Sequence, residues 1–215
     1  MKRLRIALFA CAISCACAET PTDDAIRLYA EGKFPEAKAA LDHIVAVDPR
    51  NAVACYYLGM TFRYGSGSQA LTEAASWFAK AVALAPNNSA YLGEYGGVCL
   101  LIAEHDHSFF QAIRGRDAMK KVLELNPDSL KARDALMRFY AQAPWPLGSN
   151  SRALAQAEEI GRRDPAQGLS ACLRLAMIFE NKDDRSAARA AWNAALGLDP
   201  ANSAARAAIA RLKTL

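Results

Sequence analysis

Histidine is scarce in this chain of 215 residues, with only His43, His105 and His107 present. There is no P-loop, no G-x-G-x-x-G run, no G-x-S-x-G elbow and no H-E-x-x-H pair. Beyond the first eighteen residues there is no Cys-x-x-Cys pair, which removes thioredoxin-like exchange and c-type haem attachment. The three cysteines found there, Cys55, Cys99 and Cys172, are an odd number and argue against a complete disulfide framework. Each lies among apolar neighbours on a predicted helix, so each is expected to be a small buried hydrophobe, with a Cys55–Cys99 bridge as the alternative. After the leader no apolar run approaches the length needed to cross a bilayer. No strand-length alternation competes with helical periodicity, and no linker is long enough to separate domains. His105-Asp106-His107, beside Glu104, is the one arrangement that hints at metal, and it lacks further ligands at defined spacing. The expectation is a non-enzyme with no cofactor and no dedicated metal site.

What is present begins with a leader. Lys2, Arg3 and Arg5 precede an apolar run from Ile6 to Ala16, and Ala16-Cys17-Ala18 has the small-x-small form of a cleavage site. Residues 1–18 are therefore predicted to be a signal peptide, with Glu19 opening a single domain over 19–215. Ile13-Ser14-Cys15-Ala16-Cys17 also loosely resembles a bacterial lipobox, which makes Cys17 the candidate lipidation site, although Ser14 stands where leucine is usual. Three of the 26 basic residues leave with the leader, so 23 face 22 acidic ones in the remainder. That balance gives no reason to expect nucleic acid as a partner.

Five dipeptides punctuate the rest: Asp48-Pro49, Ala85-Pro86, Asn126-Pro127, Asp164-Pro165 and Asp199-Pro200, with prolines 37, 41, 38 and 35 residues apart. A period of this size marks a stack of repeated units. Between the prolines the same residue types recur, for instance Leu58-Gly59, Phe62, Ala74, Phe78 and Ala81. They return as Tyr95-Gly96, Cys99, Met119 and Val122, then as Leu136-Met137, Tyr140, Ala153, Ala157 and Ile160, and finally as Leu175-Ala176, Phe179, Ala188, Trp192 and Ala195. Gly59, Ala74 and Gly96 are predicted where helices approach closely, and Phe62, Phe78, Tyr140 and Trp192 where gaps must be filled. Each proline is expected to follow a helix end, and Asn51, Asn88, Ser129 and Asn202 to cap the next helix. Helices are predicted roughly at 22–31, 34–47, 52–64, 69–84, 89–104, 109–124, 129–142, 150–163, 168–180, 184–197 and 202–213. Together these units resemble tetratricopeptide repeats. The resemblance implies an all-α, right-handed superhelical solenoid of about five helix pairs with a C-terminal capping helix.

Units two to four exceed the usual repeat length, and the excess is expected in the turns at 63–68, 104–110 and 142–150, forming one continuous rim. Tyr64, Phe109, Phe110, Trp145 and Leu147 sit at or beside those turns. They are candidate partner anchors, or else plugs for the ends of helix pairs. The runs Arg114-Gly115-Arg116-Asp117 and Asn181 to Arg185 are expected to be solvated turns and helix ends. By resemblance to the family, a concave groove would present Tyr29, Tyr56, Met60, Arg63, Lys131, Asp134, Arg138 and Met177. Its occupant would be an amphipathic helix or extended peptide. The functional expectation is an exported scaffold binding a protein or peptide in the bacterial periplasm, touching the membrane only if lipidated at Cys17. The alternatives are a lipid-anchored subunit of an envelope assembly or secretion complex, and a small-molecule-binding accessory protein of a transporter.

Overall fold

The structure is a computed structural model describing residues 20–63 and 68–214. The expectations for residues 1–18, Cys17, Glu19 and Tyr64 lie outside the described residues. Among those described there are eleven helices and no strand: α1 (Pro21–Ala30), α2 (Phe34–Val47), α3 (Ala52–Arg63), α4 (Ser68–Leu84), α5 (Ser89–Asp106), α6 (Phe109–Leu125), α7 (Leu130–Gln142), α8 (Asn150–Arg163), α9 (Pro165–Asn181), α10 (Arg185–Leu198) and α11 (Ser203–Thr214). Each packs chiefly against its neighbours in sequence, and smaller contacts skip a single helix, as in α7 with α9. That pattern is a solenoid, in which no unit hides its apolar face without the next.

Local chemistry explains the helix ends. At four of the five dipeptides the same turn recurs. The carbonyls of Asp48, Ala85, Asn126 and Asp199 accept from the backbone N–H of Asn51, Asn88, Ser129 and Asn202. Those four side chains then accept from N–H groups in the first turn of the following helix. Asp164-Pro165 departs from this, although Pro165 follows a helix end as expected. Asp164 ends α8 and caps α9 at once, Pro165 is the first residue of α9, and the Asp164 carbonyl accepts from Gly168 N–H within the new helix. Proline is suited to that position, because its missing N–H would have no helical partner there.

Small residues set the helix spacing. A Cβ on Gly59 would lie 2.7 Å from the Phe78 ring, and one on Gly96 would lie 3.0 Å from the Ala118 Cβ. Phe78 is fully buried and Tyr140 and Trp192 nearly so, as expected of the gap fillers. One continuous apolar core runs from α5 to α11, while the N-terminal units hold three smaller clusters. Cys55, Cys99 and Cys172 are free and buried, and the expected alternative of a Cys55–Cys99 bridge is not formed. Burial pushes the Cys99 and Cys172 thiols up to about 11, which leaves them inert near neutral pH.

Two sequence expectations need correction. The 104–110 excess does not form a loop: α5 continues through Asp106, α6 starts at Phe109, and only His107 and Ser108 lie between. His107 takes a left-handed φ of 53°, and Ser108 accepts from Gln111 N–H, so the added residues lengthen the two helices. The Arg114–Asp117 run is likewise inside α6, with Gly115 buried against Leu100 and Gly96. By contrast, 143–149 is a true loop. It is held by Ser149 N–H donating to the Tyr140 carbonyl and by Arg152 donating to that of Leu147.

Candidate functional site

The groove is built from α5, α7 and α9. On α7, Lys131, Asp134 and Arg138 fall at helical spacing and share one face. Facing them on α5 are Glu94 and, one and two turns on, Gly97 and Leu101. Glu94 accepts from Arg63 of α3 at 2.5 Å and from Lys131 at 2.5 Å, so one carboxylate links three successive first helices. Asp134 accepts from Arg174 of α9 at 2.5 Å and from Arg138 at 3.2 Å. The layering of these charges is uneven. The Glu94 and Asp134 side chains are 13% and 27% exposed, against 66%, 49% and 47% for Lys131, Arg138 and Arg174. The carboxylates are therefore sunk beneath the cations, and the groove presents positive groups outward. Such pairs add at most about 1 kcal/mol each to stability, so their main consequence is the potential they display.

Two hollows open side by side. The larger, about 510 Å³, lies between α5 and α7. Its apolar walls come from Leu100, Leu101, Phe109, Phe139 and Leu147, and its charged rim includes Arg63, Lys131, Asp134 and Arg138, with Glu104 and His107 toward the α5–α6 turn. The smaller, about 310 Å³, lies between α7 and α9 and shares Lys131 and Asp134, adding Gln167, Ser170 and Arg174. A hollow of the larger size fits a bulky side chain or small ligand.

The glycines of α5 divide by role. Gly96 is needed for close packing against α6, whereas a Cβ on Gly93 would meet nothing within 4 Å, and one on Gly97 would make only ordinary contacts at 3.6 Å and beyond. Packing does not call for glycine at these two groove-side positions, each of which weakens the helix by about 1 kcal/mol relative to alanine.

The structure sorts the predicted residues into separate places. Arg63, Lys131, Asp134 and Arg138 meet at the larger hollow, together with Phe109 and Leu147 from the expected rim. Tyr29 packs edge-on to Phe34 and Tyr57, with ring centroids 5.3 and 5.4 Å away. Tyr56 stacks on Tyr91 at 4.7 Å, and burial pushes its hydroxyl up to about 12. Met60 is half-buried against the Phe78 cluster. These three serve packing between helices. Met177 is exposed on α9 outside both hollows. Leu147 is buried, which matches the plugging alternative, whereas Trp145 is 90% exposed and Phe110 stands out beside Phe109.

Glu94 and Arg174, which organise the charges, are absent from the sequence-derived set. Helical spacing places each on a groove-facing stripe, but no local signal reveals an ion pair across more than thirty residues. Lys182, in the run expected to be solvated, donates to the Ala141 carbonyl at 2.7 Å and so ties the end of α7 to the α9–α10 turn. His105 and Asp106 pair with each other at 2.6 Å. Among the described residues no group of three or more His, Cys, Asp or Glu is placed to hold a metal ion, and no helix is long and apolar enough to cross a membrane.

With this geometry in place, the comparisons with known proteins are consistent. Residues 169–202 match the tetratricopeptide repeat family model. The chain is similar in structure to YrrB, described as a TPR protein with an unusual peptide-binding site, at 20% identity over 91% of each chain and a TM-score of 0.68. It is also similar to MamA from Desulfovibrio magneticus RS-1, at 17% identity over 85% of this chain and 95% of that one, with a TM-score of 0.65. An O-GlcNAc transferase from Thermobaculum terrenum matches at 23% identity over 66% of this chain and 25% of its own, with a TM-score of 0.53. No curated protein matches the sequence. The fold is thus that of a tetratricopeptide-type solenoid, a class whose stacked helices expose a long concave surface.

Proposed function

We propose that this protein is a non-catalytic scaffold that holds an extended segment of a partner polypeptide in the groove across α5 and α7. The observation that carries this reading is the open hollow of about 510 Å³ between α5 and α7, apolar within and charged at its rim. The similarity to YrrB, whose description includes a peptide-binding site, supports it.

Gly97 supplies the test, because it lines the hollow and a Cβ there would make only ordinary contacts, with Arg63 at 3.6 Å and the flexible end of Met119 at 3.8 Å. Gly97→Leu is expected to keep the helical circular dichroism signal and to raise the melting midpoint slightly. It should also remove at least nine-tenths of the binding of peptides selected from a random display library. If the variant selects and retains the same peptides as the parent, the groove is not the binding site.

We further propose that the protein works after export, on the basis of the leader at residues 1–18. Intact mass of the protein recovered from bacterial envelope extract is expected to correspond to a chain starting at Glu19. An acylated start at Cys17 would point instead to a lipid-anchored subunit, and retention of residues 1–18 would overturn export.

A further inference from the structure

The groove reading leaves the chemistry of the occupant open, and the layered charges narrow it. Four cations, Arg63, Lys131, Arg138 and Arg174, share two carboxylates, Glu94 and Asp134. Glu104 is the third acid near the larger hollow, and it stands at the end toward the α5–α6 turn, away from Arg174. Because both shared carboxylates lie beneath their partners, an incoming ligand meets Lys131, Arg138 and Arg174 first. Each has donors left over after one bond to a half-buried acid. Surplus, outward-facing cations in a concave, partly desolvated setting favour an anionic group on the ligand. The larger hollow asks for something different, since its walls are leucine, phenylalanine and alanine.

The two hollows share Lys131 and Asp134 of α7, one continuing along α5 and the other along α9. Neighbouring helices pack about 8–10 Å apart, and an extended chain advances about 3.3 Å per residue. One segment crossing α7 would therefore place side chains roughly three residues apart in the two hollows.

We infer that the occupant of the groove is an acidic, extended peptide. It seats a large apolar side chain between α5 and α7, and an aspartate or glutamate about three residues away meets Lys131 and Arg174 between α7 and α9. This rests on the groove reading above. Gly93 and Gly97 fit it, since their bare backbone lets a peptide main chain lie close to α5. The side-chain amide of Gln167, which donates one hydrogen to Asp164, keeps a second for the carboxylate.

The test uses short synthetic peptides on a glycine-serine background, measured by fluorescence anisotropy at low and at physiological salt. Four carry Phe and Glu, Phe and Gln, Phe and Lys, or Ser and Glu, in each case three residues apart. The Phe/Glu peptide is expected to bind at least tenfold tighter than each of the others. Arg174→Gln and Lys131→Gln should each shrink its advantage over Phe/Gln to about threefold or less, read as the ratio of the two affinities on each variant. Gly97→Leu should weaken every Phe-containing peptide.

Equal binding of Phe/Glu and Phe/Gln, both lost in Gly97→Leu, would overturn the acidic preference and leave the groove reading standing. Failure of all four, while library-selected peptides still bind in a Gly97-dependent way, would overturn the inference in the same manner. Binding of all four that ignores Gly97→Leu would remove both. An oligothymidylate that outcompetes the Phe/Glu peptide at Lys131 and Arg174 would overturn the inference in favour of a nucleic-acid ligand.

Discussion

Gly168→Ala is expected to cost about 3 kcal/mol and to loosen the C-terminal third of the stack. A Cβ at this position would fall 2.1 Å from Gly161 Cα and 2.6 Å from Gly161 N, and both of those are backbone atoms with no rotamer to yield. Relief can come only from separating α8 from α9 at the point where Asp164-Pro165 joins them without a spacer. The gain in helix propensity from alanine, about 1 kcal/mol, offsets only part of that strain. Gly161→Ala is the control. Its nearest neighbours are the methyl ends of Leu198 at 3.0 and 3.2 Å, which can move, so its effect should be small. Urea denaturation followed by circular dichroism measures both. Because stacked units are coupled mainly to their neighbours, hydrogen exchange in Gly168→Ala should quicken across α9, α10 and α11 well before α1 and α2. Equal stability of the two variants would show that the helices do not cross at this glycine pair.

Phe78→Ala is expected to destabilise by about 4 kcal/mol, within the range for deleting a buried phenylalanine. Its ring is fully buried, lies 5.7 Å centroid-to-centroid from Tyr56, and covers the bare face of Gly59. The cavity would open between α3 and α4, in the part of the chain whose core is divided into small clusters, so neighbouring units can do little to fill it. The Gly59 contact gives a sharper check than the single variant. Gly59→Ala should be destabilising alone, because its Cβ meets the ring at 2.7 Å, and close to neutral in the Phe78→Ala background. A double-mutant cycle should therefore return a coupling of about 1 kcal/mol or more. Additive effects would place the ring elsewhere than against Gly59.

Phe78 lines neither hollow, so Phe78→Ala can be paired with the peptide measurements to separate folding from recognition, whereas Gly168→Ala also loosens α9, which carries Arg174. A variant that loses binding through unfolding will lose its helical signal with it. Gly97→Leu is expected to lose binding alone.

The repeat was legible because the signals that define it are short in sequence. A proline sets the conformation of the residue before it, an asparagine or serine caps the helix that starts one residue later, and a helix buries positions three and four apart. Asn51, Asn88, Ser129 and Asn202 could be assigned as caps on that basis, and all eleven helices fall close to their expected bounds. The enlarged turn at 104–110 was misjudged because unit length alone does not say whether extra residues lengthen a helix or a loop. His107 and Ser108 settle the matter through a left-handed backbone and a side-chain cap. Tyr56 and Met60, assigned to the groove by family resemblance, also take part in packing, Tyr56 against Tyr91 and Met60 against the Phe78 cluster.

What reading the chain alone could establish is therefore the class of object: helical pairs, their order, and the need to stack. Those follow from interactions over a few residues and from apolar faces that no single pair can cover. Which side chains meet across the groove depended on the pitch of the stack. Glu94 reaches both Arg63 and Lys131, and Asp134 reaches Arg174, over separations of 31, 37 and 40 residues. Ion pairs over such distances are set by how helix surfaces seat against one another, and that seating is decided by glycines such as Gly96, Gly161 and Gly168 acting through close packing.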